Sequence, residues 1–135
     1  DEGNNFRSGM RASGVSDFYE RMATYQTPAQ NMLTADRAGN IGIRSTGRYP
    51  IRPSNGRGDV AFDGSTRNSD WTGDQPIGWY PQSINPAQGY LASANQQPLD
   101  PSVRAGYHGA DWPSPWRAMR INNLLRGDSS VTVDD

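Results

Sequence analysis

Apolar positions are sparse along this chain, and they gather at helical or strand spacing. Phe18, Met22 and Tyr25 stand at i, i+4 and i+7, one stripe of an amphipathic helix. Ser16 precedes them as a good N-cap residue, with Asp17 and Glu20 in the first turn, where acids suit the helix dipole. Thr27-Pro28 ends that helix, because a residue before proline is pushed out of the α region. Residues 1–15 are polar and read as loose, although Phe6 and Met10 share helical spacing. Asn31–Ala35 and Ile41–Thr46 are two short β-like runs around Asp36-Arg37-Ala38-Gly39-Asn40. They predict a hairpin with a type I turn and Gly39 in the left-handed region. Residues 47–88 are dense in Gly, Pro, Asp and Asn and read as long ordered loops, which suits a chain lying on a larger scaffold. Tyr90–Ala94 is the third strand candidate. Ser114 as cap, Pro115 at the first helical position and Gly127 at the end frame a last helix over Trp116–Arg126.

Composition explains the scarcity. Leu, Ile, Val and Phe number only 19 of 135 residues, a level at which disorder is a fair reading. Four Trp and six Tyr argue against it, because disordered chains are poor in aromatics. The aromatic residues then need protein outside this chain to pack against. Thirteen basic and fourteen acidic residues nearly cancel, so no strong field draws nucleic acid. All thirteen bases are Arg, and none is concentrated in one stretch. No run of 18 apolar residues is present, so no membrane span is expected. Cys is absent, which removes disulfides and Cys-ligated zinc.

Few residues carry chemistry by pattern alone. The sole histidine, His108, has no cysteine to share a transition metal with and reads as a structural or surface residue. No Gly-x-Ser-x-Gly elbow supports a Ser-His-Asp triad. Asp59, Asp63 and Gly64 resemble a calcium loop only faintly, with the wrong ligand spacing. Arg117 is more pointed. It shares a helix face with Ile121 and Leu124 and lies in the first turn, where the dipole disfavours a cation. Either it has a fixed polar partner or its stem snorkels to water. Gly89–Pro98, GYLASANQQP, poses the same choice. A small-residue approach ends in the amides Asn95, Gln96 and Gln97 before Pro98. That is either a turn or the placement of a neutral hydrogen-bond donor.

Five stretches, in one order, resemble the penicillin amidase family: ADRAGNIG, STGRYPIR, Trp71-x-Gly73-x-x-Pro76, INPAQGYLASANQQP and DWPSPWRAMRINNLL. They span roughly residues 16 to 127. The resemblance implies an α+β fold, part of the four-layer αββα N-terminal nucleophile hydrolase sandwich, loop-rich with antiparallel strands and flanking helices. It implies a hydrolase that cleaves the amide between an acyl group and an amine. In such enzymes a Ser opening the larger chain is nucleophile and its own α-amino group is base. Residues 1–135 then form a single incomplete-domain segment of the larger chain, after its nucleophile, and alone should be inactive. Its partners would be the smaller chain, the rest of the larger chain and a small-molecule acyl amide, with a periplasmic or secreted location. Asn95 falls on the family's oxyanion-hole Asn, and Arg117 on an Arg close behind the catalytic centre. No cofactor is expected in this segment. The family's structural calcium remains possible in the full enzyme, but the carboxylate it takes from this region falls on Gly106. The alternative from another class is a non-catalytic secreted or cell-surface module that keeps the family's shape for binding.

Overall fold

The computed structural model describes residues 2–53, 57–100, 102 and 108–132. Two short helices open the chain, α1 (Glu2–Gly9) and α2 (Val15–Arg21). The hairpin β1 (Gln30–Ala35) and β2 (Ile41–Thr46) follows. A ribbon of β3 (Pro50–Ile51) and β4 (Gly73–Asp74) comes next, then β5 (Gln82–Ile84) and finally α3 (Trp116–Gly127). The main sheet is antiparallel in the order β1-β2-β5. No helix among the described residues is long and apolar enough to cross a membrane.

The hairpin forms where its turn chemistry predicts. Asp36 Oδ1 accepts from the Ala38 and Asn40 amides, both at 3.0 Å, and Gly39 takes φ +87°, a region that glycine enters without steric cost. The register sets Asn31 opposite Ser45 and Leu33 opposite Ile43.

The helices differ from expectation, and tertiary partners are the reason. Residues 2–9 are helical, not loose. Asn5 is buried and its Nδ2 donates to Arg21 O at 3.1 Å and Thr24 Oγ1 at 2.8 Å. Phe6 meets the Tyr25 ring edge-on at 5.5 Å. Helix α2 starts two residues early, after Gly14, and Ser16 does not cap it. Instead Asp36 Oδ2, from the hairpin turn, accepts from Val15 N at 3.3 Å. The buried face is Val15, Tyr19, Met22 and Tyr25, with Phe18 only packed alongside. Tyr19 displaces Phe18 from the centre because its polar end is satisfied there. Its hydroxyl donates to Met32 O at 2.9 Å, and the Arg44 guanidinium lies 4.5 Å from the ring. Gly42 permits this approach: a Cβ there would lie 2.7 Å from Val15 Cγ1 and 2.9 Å from Tyr19 Cε2.

Asp17 ties the start of α2 together. Its carboxylate accepts from Arg21 Nε at 2.6 Å and from Ser13 N at 2.7 Å. The Arg21 bond first, and the Ser13 amide next, pull its pKa from 3.8 to about 2. A depressed carboxyl stabilises the fold fully above its unfolded value and loses that contribution as pH falls through the folded one. The stabilisation should therefore fade between pH 3.8 and about 2. The carboxyl ¹³C shift of Asp17 in the folded protein should titrate near the lower value, and a midpoint at 3.8 would contradict the pairing.

Residues 47–53 and 57–88 are largely loops, as expected, but they also supply the third strand of the main sheet. Gly42 pairs with Ile84 and Ile43 with Ser83, so the third strand is β5 and not the candidate Tyr90–Ala94. Residues 90–94 form no strand.

Candidate active site

Although it makes no ladder, the 89–96 segment is held by side chains along its length. Gln96 clasps its own backbone: Ala94 N donates to Gln96 Oε1 at 2.7 Å, and Gln96 Nε2 donates to Ala92 O at 3.3 Å. Tyr90 Oη donates to Asn122 Oδ1 of α3 at 3.0 Å. Asn31 Nδ2 of β1 donates to Ser93 Oγ at 2.8 Å. Asn95 then takes φ +63°, the left-handed region in which Asn is enriched among non-glycine residues. Asn95 is thus a bend residue, and its side chain projects from that bend.

Helix α3 brings Arg117 to it. Pro115, not Ser114, is the N-cap residue, and no side chain caps this helix. The first helical bond runs from Met119 N to Pro115 O at 2.8 Å. The helix also runs through Gly127. Arg117 and Leu124 are exposed, and the inward side is Ala118 with half-buried Ile121, Asn122 and Leu125. Arg117 is therefore not a charge buried in an apolar stripe. Its Nη2 donates to Ala94 O at 2.9 Å and to Asn95 Oδ1 at 2.6 Å. Two carbonyl acceptors answer the unfavourable placement of a cation in the first turn.

This contact decides which way the Asn95 amide faces. A guanidinium only donates, so the amide atom turned toward it is the oxygen. The NH₂ group is turned away, and among the described residues Asn95 Nδ2 has no acceptor. Asn95 lines a cavity of about 460 Å³ whose walls include Gln30, Asn31, Tyr49, Asp111 and Trp112. A locked amide with free donors at a cavity wall can bind a carbonyl oxygen or an oxyanion.

Of the remaining candidates, His108 lines the same cavity as Asn95. His108 stacks on Trp79 with ring centroids 4.0 Å apart and planes 3° from parallel, within a cluster that includes Tyr49 and Tyr80. Burial, above all, raises the Tyr49 phenol above its usual range. Asp59 is paired with Arg57, and Asp63 accepts from Ser65 N at 2.8 Å. Among the described residues no three His, Cys, Asp or Glu are grouped to hold a metal ion. Gly106 lies outside the described residues.

A profile of the penicillin amidase family matches residues 2–135. The chain belongs to the penicillin amidase family. An acyl-homoserine lactone acylase of Pseudomonas syringae pv. syringae is 34% identical over 120 residues, which are 87% of this chain and 14% of that protein. Penicillin G acylase of Escherichia coli is 31% identical over 116 residues, 86% of this chain and 14% of that protein. The chain thus spans about a seventh of the curated relatives it matches. Among solved structures, a thermostable penicillin G acylase from Alcaligenes faecalis superposes with a TM-score of 0.77 at 23% identity. That match covers 96% of this chain and 23% of the other. It shows the fold: an α+β piece of the N-terminal nucleophile hydrolase architecture. Here α2 lies on a three-stranded antiparallel sheet.

Proposed function

We propose that this chain is the segment of a penicillin acylase-like amidohydrolase that supplies an oxyanion-hole donor, the side-chain amide of Asn95. The larger enzyme cleaves the amide between an acyl group and an amine. The rest of its larger chain supplies the Ser nucleophile and the α-amino base. Attack of the Ser oxygen on the carbonyl carbon moves an electron pair onto the carbonyl oxygen. A neutral N–H held at that oxygen stabilises the charge without adding a titrating group. Arg117 acts through Asn95: it fixes the amide's orientation and touches no substrate atom, so it is a positioning residue. The smaller chain and the rest of the larger chain cover the apolar surface left open here, and the whole enzyme is periplasmic or secreted.

The observation that carries this reading is the Arg117–Asn95 Oδ1 bond at 2.6 Å, which leaves both amide hydrogens free of Arg117 on a residue that lines the cavity. The experiment compares the full-length, matured protein with the isolated 135-residue chain on chromogenic acyl amides. The whole protein should release amine. The isolated chain should not exceed buffer, because an oxyanion donor without nucleophile and base has no developing charge to stabilise. Amine release by the isolated chain would overturn the division of labour, and a matured but inert whole protein would overturn the activity.

A further inference from the structure

Arg117 sets the orientation of the Asn95 amide, but it belongs to a helix that, among the described residues, makes no close backbone approach to a strand. A groove of about 740 Å³ separates Leu125 of α3 from Leu33 and Ile41 of the sheet. The distance of Asn95 from the sheet must therefore be fixed elsewhere. Among the described residues, one side-chain hydrogen bond joins the 90–95 segment to the sheet: Asn31 Nδ2 to Ser93 Oγ, 2.8 Å, across 62 residues of chain. We propose that Asn31 is a positioning residue for the reaction, holding Asn95 in place by way of Ser93.

The setting of Asn31 supports this. It sits on a partly buried sheet face that it shares with Leu33, Ile41 and Ile43, and with Ser45 and Ser83. A polar amide among them costs stability unless it is fully bonded. It is bonded on both sides. Ser45, its cross-strand partner and itself buried, donates from Oγ to Asn31 Oδ1. That bond turns the Asn31 NH₂ group outward, and the NH₂ meets Ser93 two residues before Asn95. Ser45, Asn31 and Ser93 thus form a one-directional relay of hydrogen bonds from strand β2 to the bend. An apolar pair at 31 and 45 would pack the sheet as well and would leave the bend untethered.

This inference rests on the proposed role of Asn95, and its test separates the two. Asn31→Leu, Ser93→Ala, Asn95→Ala and the two double variants with Asn95→Ala are made in the full-length enzyme, and kcat and KM are measured on matured protein. Asn31→Leu and Ser93→Ala should each lower kcat by about 10- to 100-fold, the scale of a displaced catalytic group, with KM within about twofold of the parent. In the Asn95→Ala background neither should lower kcat further. If Asn31→Leu does not mature, Ser93→Ala decides, since it cuts the same bond in an irregular segment. A strong Asn95→Ala loss with Asn31→Leu and Ser93→Ala near the parent would overturn the tether alone. So would losses that multiply in the double variants, which mark independent damage. An Asn95→Ala enzyme with the parent's kcat would overturn both.

Discussion

Asn95→Ala in the full-length, matured enzyme is expected to lower kcat by ~10²–10³-fold, the loss seen when one preorganised oxyanion donor is removed. KM should change little, because the bond matters most once charge has moved onto the carbonyl oxygen. The structure gives the donor what that role requires. The amide stands at a cavity wall, its oxygen is engaged by Arg117 at 2.6 Å, and its nitrogen is left without an acceptor among the described residues. Folding and maturation should largely survive, since the bend is also held by Gln96 and Arg117 through backbone atoms. A matured variant with kcat within about threefold of the parent would show that the amide does not serve the oxyanion.

Arg117→Met should be the next most damaging change, lowering kcat by about 10- to 100-fold. Methionine keeps the apolar stem but donates to neither Ala94 O nor Asn95 Oδ1. A hydrogen bond from a charged donor contributes about 1.5–3 kcal/mol, and here its loss frees the amide to rotate. Once rotated, the amide would turn oxygen instead of nitrogen toward a developing negative charge. Arg117→Lys should recover only part of the loss, since a compact ammonium lacks the planar fork that spans two carbonyls. The double variant with Asn95→Ala should be no slower than Asn95→Ala alone. A further fall in the double variant would mean that Arg117 has a task of its own.

The elements that the sequence reveals are those whose causes are local. The Asp36–Asn40 turn carries its own hydrogen bonds, so the hairpin is legible from the residue types alone. Helix α1 is not legible, because its order comes from Asn5 reaching Arg21 O and Thr24 Oγ1, and no apolar stripe marks that. Tyr19 outranks Phe18 in the core for a similar reason: a phenol that meets Met32 O gains from burial in a way no periodicity shows. The third strand falls at Gln82–Ile84 and not at Tyr90–Ala94, because two segments could compete for one sheet edge. Gln82–Ile84 won it, while residues 90–94 were bound instead to α3 and to Asn31 by side chains.

At the site, Asn95 and Arg117 could both be named from the chain, but only the family resemblance paired them. Spacing alone cannot show that residues 22 apart meet when one is in a bend and the other on a helix. Asn31 left a fainter signal, a polar residue on a strand face that also carries Leu33, Ile41 and Ile43.

The most direct test is a crystal structure of the full-length, matured enzyme with a phosphonate or boronate transition-state analogue bonded to its nucleophile. The account predicts Asn95 Nδ2 at about 2.7–3.1 Å from the analogue's oxyanion, with Oδ1 still bonded to Arg117. An oxyanion bound entirely by other donors, with the Asn95 amide turned away from it, would contradict the account.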